Sequence, residues 1–231
     1  MTKLYDAFIS YGRPDSLLLA KDLKASLEAK GFAVWFDKHD IKPGVDYQKK
    51  IDDGIEKASN FLFIISPHSV NSPYCGKELD LAIKLNKRII TLMHVKEISR
   101  ETWQGRNQGK TSDKDWEDAQ AKGLNVSNNL DPRIRKIHRV SFQEGKDDFE
   151  KSLAVLIEAL GEDDDDYVKK HRNLLVKALE WELNHKQTIY LLIGEEIEQA
   201  KEWLKKKRPK AERFIPTDLL RVYYRKYQEC Q

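Results

Sequence analysis

The sequence predicts an α/β protein, an open parallel five-stranded sheet with helices on both faces, followed by an α-helical extension. Three observations carry that expectation. Up to about residue 160, short apolar runs alternate with segments of helical period, an order that calls for parallel strands joined by right-handed crossovers. Phe61-Leu-Phe-Ile-Ile65 is apolar at every position and bounded by Ser66 and Pro67, the pattern of a strand covered on both faces. Beyond the acidic run Gly161-Glu-Asp-Asp-Asp-Asp166, the segments read as helices.

Each element has its own signal. Leu4 to Ser10 reads as the first strand, and Asp15 to Lys30 follows as a helix, with Leu23 and Leu27 at helical spacing before Gly31 stops it. Phe32 to Phe36 is the second strand, and Tyr47 to Ala58 a helix with Ile51 and Ile55 four apart. Asn60 to Ser66 is the third strand. Ser72-Pro73 then opens a helix running from Tyr74 to Leu85, and Arg88 to His94 is the fourth strand. From about residue 97 to 130 the pattern dissolves into a polar, Gly-containing insertion in which Asp115 to Lys122 is the one short helix expected. His138 to Phe142 is the fifth strand, and Asp147 to Leu160 closes a first domain, residues 1–161, as an amphipathic helix. The extension, 162–231, is expected to hold helices over Tyr167 to His185, Glu195 to Lys206 and Asp218 to Gln228, the last announced by Pro216-Thr217-Asp218. Trp181 and Trp203 read as core residues of that extension.

Composition bounds the function. Among 231 residues, 34% are charged, yet 41 Lys and Arg stand against 38 Asp and Glu for a net charge of +3, which is too balanced to indicate a nucleic-acid partner. The basic cluster Lys205-Lys-Lys-Arg208 reads as a solvated helix end. Cys75 and Cys230 give neither a disulfide framework nor metal-ligand spacing, so no metal is expected and a reducing compartment fits. No apolar run approaches the roughly 20 residues that span a bilayer, and Met1-Thr-Lys-Leu4 leads into a strand without a signal-peptide pattern, so a cytoplasmic chain with no membrane contact is expected. Walker A and Gly-x-Gly-x-x-Gly patterns are absent, which disfavours an NTPase and a dinucleotide-dependent dehydrogenase. Ser66, His68, Ser69 and Cys75 are close in sequence, but such closeness does not make a catalytic triad.

One carboxylate stands out. Tyr74 and Glu78 lie four apart on the helix that Ser72-Pro73 opens, so they share a face, and the helix starts outside the carboxyl end of the third strand, where open α/β sheets bind ligands.

Three segments carry a resemblance. Tyr5-Asp-Ala-Phe-Ile-Ser-Tyr11, Pro43-Gly44 after Gly31-Phe-Ala-Val-Trp-Phe-Asp37, and Ser72-Pro-Tyr74-Cys-Gly-Lys-Glu78 resemble, in order, the opening strand, the loop after the second strand and the Trp-x-x-x-Glu motif of Toll/interleukin-1 receptor (TIR) domains, with Tyr74 in place of the tryptophan. The resemblance implies a flavodoxin-like fold and, in the bacterial NAD-cleaving branch, a glycohydrolase that breaks the nicotinamide–ribose bond of NAD. NAD is then substrate, and no cofactor is needed. The products expected are nicotinamide with ADP-ribose or a cyclic isomer, the setting bacterial immune or antiphage signalling.

Glu78 is the catalytic residue by this resemblance, the alternative being an exposed helix carboxylate paired with Lys77 or Lys84. Tyr74 would stack on the cationic nicotinamide ring, or else pack into the core. Tyr11, Arg13, Asp37, Gly44, Tyr47 and Ser69 complete the substrate-binding set, with Arg13 toward phosphate and Asp37 toward ribose hydroxyls; a surface ion pair and a turn residue are the respective alternatives. Gly12 separates Tyr11 from Arg13, where the family often has a basic residue directly after the tyrosine. The loop Ile41-Lys42-Pro43-Gly44 is expected to contact a neighbouring TIR domain, so that a homo-oligomer or filament completes the site. The extension would couple a sensor module to the TIR domain. A catalytically silent scaffold that binds other TIR domains is the alternative function.

Overall fold

The structure is a computed structural model, and it describes residues 4–36, 47–107, 112–124, 126–161, 166–205 and 218–229. Five strands, β1 (Tyr5–Ser10), β2 (Val34–Trp35), β3 (Ala58–Ile65), β4 (Arg88–Met93) and β5 (Arg139–Ser141), form one sheet in the order β2-β1-β3-β4-β5. Every pairing is parallel, with Phe8 opposite both Trp35 and Phe61. This is the expected flavodoxin-like order.

Alternation along the strands builds two apolar layers. Phe8, Phe61, Phe63 and Ile65 face α2 (Tyr47–Lys57), with Ile51 and Ile55, and the helix Pro73–Lys84, with Leu79 and Ala82. Ala7, Ile9, Leu62, Ile64 and Leu92 face α1 (Arg13–Ala29), with Leu23 and Leu27, and the helix Phe149–Gly161, with Leu153 and Leu156. Phe8 stacks between Trp35 and Phe61, with ring centroids 4.5 and 5.5 Å away.

Three expectations need correction. The second strand is two residues long rather than five, since it lies at the edge of the sheet and pairs only with β1. A short helix, α3 (Pro67–Asn71), precedes α4 (Pro73–Lys84); Ser66 and Ser69 close its start as a capping box. The insertion is helical, with α5 (Arg100–Arg106), α6 (Asp113–Ala121) and α7 (Val126–Asn129), the first two started by Ser99 and Ser112 caps and joined through Trp103 and Trp116 at 5.5 Å between ring centroids.

After α8 (Phe149–Gly161), the described residues of the extension form α9 (Asp166–Leu183), a 3₁₀ turn at Thr188–Tyr190, α10 (Glu195–Lys205) and α11 (Asp218–Glu229). Helix α9 contacts α2 and β3, and Leu175, Ala178 and Trp181 continue the apolar layer of that sheet face. Trp203 and Tyr223 pack into the same layer, with Tyr223 Oη donating to the Tyr190 carbonyl at 2.7 Å. The Pro216-Thr217 start of the last helix lies outside the described residues.

Candidate functional site at the carboxyl edge of the sheet

From β1 the chain passes to β2 on one side and then crosses to β3 on the other, so the sheet order reverses between β1 and β3. A crevice at the carboxyl end of such a reversal is where open α/β sheets hold ligands. Ser10 ends β1 there, and Ser66 follows β3.

Glu78 reaches this crevice from the second turn of α4. Ser72 caps that helix, its hydroxyl accepting from the Cys75 amide at 3.3 Å. Pro73 is then preset for the first helical position. Cys75 Sγ donates to the Tyr11 carbonyl at 3.5 Å, which ties α4 to the exit of β1. One turn later, Ser10 Oγ donates to Glu78 Oε2 at 2.6 Å, a bond spanning 68 residues of sequence. Glu78 is half-buried. The carboxylate thus belongs to the sheet edge and is not a solvated helix side chain.

The other expected site residues divide clearly. Tyr74 is 64% exposed one turn before Glu78, so the core-packed alternative for its ring is excluded. Tyr11 is buried and stacks on Phe36 at 5.2 Å between centroids. Arg13 is exposed at the first position of α1. Ser69 is buried beneath the crevice, where its hydroxyl accepts from the Ser66 amide at 2.9 Å and donates to the Ser66 carbonyl at 3.0 Å; its observed work is to close α3. Tyr47 opens α2. Asp37 and the loop Ile41, Lys42, Pro43 and Gly44 lie outside the described residues.

Several supports of the site were not foreseen. Gly12 is the junction between the exits of β1 and β3: a Cβ added there would lie 2.6 Å from the Ser69 amide nitrogen and 2.9 Å from His68 Cβ. The residue that interrupts the family pattern is therefore what allows the two exits to touch. Asp15, in the first turn of α1, accepts from the His68 amide at 2.8 Å and from Arg106 Nη1 at 2.6 Å, while Arg106 Nη2 donates to the Pro14 carbonyl at 2.9 Å. The insertion is thereby anchored to the same edge. His94, directly after β4, lies 2.9 Å through Nδ1 from Ser16 Oγ; burial lowers its pKa against the opposing pull of Glu144 and Asp15. Ser16 is fully buried, so this pair is packing and not an accessible nucleophile. A separate cleft of about 380 Å³ lies between α3 and the insertion, lined in part by His68, Asn71, Trp103 and Asp118.

Sequence comparison decides the family. The family model described as TIR domain matches residues 7–125, more than half of the chain and the part that carries β1 through β4 and α4. The chain belongs to the TIR domain family. Over 97 residues this TIR chain is 37% identical to the 2' cyclic ADP-D-ribose synthase BtTIR of Bacteroides thetaiotaomicron, covering 40% of the chain and 34% of that relative. Over 102 residues it is 31% identical to Toll-like receptor 13 of Mus musculus, covering 41% of the chain and 10% of the receptor. The match thus spans about a third or less of these curated relatives. The TIR domain of the Toll-related receptor TRR-2 from Hydra magnipapillata superposes with a TM-score of 0.46 at 16% identity, over 68% of this chain and 98% of that one.

Proposed function

We propose that this TIR chain cleaves the nicotinamide–ribose bond of NAD, with Glu78 as the catalytic carboxylate. The observation that carries the reading is the Ser10–Glu78 bond, which fixes a carboxylate at the mouth of the β1/β3 crevice. The name of the Bacteroides relative, a 2' cyclic ADP-D-ribose synthase, supports the same chemistry.

The reaction needs little besides that carboxylate. As the bond from ribose C1 to the nicotinamide nitrogen breaks, its electron pair neutralises the cationic ring, which leaves without help from a general acid. Positive charge develops on the ribose as an oxocarbenium-like centre. A negative carboxylate fixed beside that carbon stabilises charge that exists only in the transition state, so it raises the rate rather than merely tightening binding. The oxygen of water then bonds to C1 and releases a proton, giving ADP-ribose; attack by another atom of the same nucleotide gives a cyclic isomer. The exposed ring of Tyr74, on the same helix face, is available to stack on the cationic nicotinamide before cleavage. Arg13, exposed where α1 begins, would approach a phosphate of the nucleotide.

Self-association through the 41–44 loop would complete the site from a second copy, and the setting would be defence signalling. The test is nicotinamide release from NAD by dispersed protein and by protein held in clusters, with products resolved by mass spectrometry. Release that rises steeply on clustering is the expected result. Absence of release in both states would favour the scaffold reading, in which the exposed Tyr74 face serves TIR–TIR contact.

A further inference from the structure

Side chains alternate along β1, which places Ser10 in the same row as Phe8, the row facing α2 and α4. Phe8 fills its position with a ring stacked between two others, whereas the next position in the row carries a hydroxyl that is 1% exposed. A hydroxyl this deep is destabilising without a partner, and an apolar side chain would suit the layer better. Its partner is the Glu78 carboxyl group, at 2.6 Å. Strand β1 is rigidly paired on both sides, with Ser10 opposite Phe63 of β3 and Phe8 opposite Trp35 of β2. The donor therefore sits on a strand that is hydrogen-bonded into the sheet, while the acceptor sits on a flexible side chain with several rotatable bonds. Cys75, one turn before Glu78 on α4, holds the adjacent Tyr11 carbonyl, so Ser10 and the residue directly after β1 fix both the helix and the side chain it carries.

We propose that Ser10 is a positioning residue for catalysis, aiming the Glu78 carboxylate at the reacting ribose carbon. This rests on the reading of Glu78 as the catalytic carboxylate. Ser10 acts through Glu78 and does not touch the nucleotide. Loss of the hydroxyl removes the restraint that β1 places on the carboxylate, and a catalytic group displaced by about an ångström loses on the order of 10²-fold in rate. Substrate affinity, set by other groups, stays.

The experiment compares wild type, Ser10→Ala, Ser10→Thr, Glu78→Ala and the Ser10→Ala/Glu78→Ala double variant in clustered form, measuring nicotinamide release alongside thermal unfolding. The expected result is a fall in kcat of about 10- to 100-fold for Ser10→Ala with KM unchanged, at least partial recovery in Ser10→Thr, and no further loss when Ser10→Ala is added to Glu78→Ala. Full kcat in Ser10→Ala while Glu78→Ala is inactive would overturn the inference and leave the proposed function standing. An equal fall in kcat for Ser10→Ala that Ser10→Thr does not recover would also overturn it, marking Ser10 as a packing residue. A crystal structure of Ser10→Ala tests the inference without turnover: the Glu78 carboxylate leaves its place or loses order if Ser10 positions it, and an unmoved carboxylate overturns it even if no NAD is cleaved.

Discussion

At the carboxyl edge of the sheet, polar side chains hold one another across long sequence separations, whereas toward the amino edge the helical extension is held mainly by apolar burial. Ser10 with Glu78 and Asp15 with Arg106 do so, beside the local Ser66–Ser69 cap and around a glycine that permits close approach. At the other end, Leu175, Ala178 and Trp181 of α9, Ala200 and Trp203 of α10 and Tyr223 of α11 are buried in one apolar layer with the sheet. The difference separates two kinds of cost. Removing a group from the polar edge leaves the core intact and disturbs geometry; removing one from the apolar side leaves geometry at the crevice intact and costs stability.

The largest effect should come from that apolar side. Trp181→Ala is expected to destabilise the chain by about 3–5 kcal/mol, seen as a lower Tm, while the folded fraction keeps its rate of nicotinamide release. A loss of rate without a loss of Tm would break the comparison. Glu78→Ala is the converse: a fall in kcat of about 10²–10³-fold, as for removal of one electrostatic stabiliser, with Tm little changed. Between these, Gly12→Ala should do both, costing about 1–3 kcal/mol through overpacking against Ser69 and His68 and also slowing turnover, because both strand exits must shift.

The smallest effects are in pH dependence, and they have opposite signs. Glu56, in the last turn of α2 just before β3, has its pKa raised to about 7 by burial and then by Asp53, with Lys87 opposing. Its folded form holds a proton more tightly than the unfolded chain does, so its contribution is complete below about 4.5 and is lost as pH rises toward 7. Glu56→Gln should therefore raise Tm at pH 8 relative to wild type and leave it unchanged at pH 4. His94, at the carboxyl edge, has its pKa lowered by burial, so its contribution is complete above 6.5 and is lost as pH falls below that value. His94→Gln should flatten the acid side of the stability curve, measured as Tm between pH 5 and 7.

The sheet was legible because Phe61 to Ile65 is an unbroken apolar run and the other strands carry shorter apolar stretches, all separated by helices with clear period. The second strand was overcalled because Phe32 and Phe36 carry the same apolar signal as Val34 and Trp35, and only edge pairing limits the strand to two residues. Of the insertion helices only α6 was foreseen, as Asp115 to Lys122; α5 and α7 were hidden because they are short and carry few apolar residues, α5 burying only Trp103. At the site, Ser72-Pro73 announced the helix that carries Glu78, so the carboxylate was readable locally. Ser10 was not, since its role depends on a partner 68 residues away. The two-residue period that puts it in Phe8's row was the one available signal. Gly12 looked like a departure from the family pattern because its reason, contact with Ser69, is likewise long-range.

The central claim is that the carboxylate at the β1/β3 crevice faces the bond that breaks. A crystal structure of Glu78→Gln with intact NAD tests it most directly. The account predicts the nicotinamide ribose in that crevice, with its C1 beside residue 78 and the nicotinamide ring against Tyr74. NAD bound in the cleft between α3 and the insertion, or with its ribose turned away from residue 78, would contradict it.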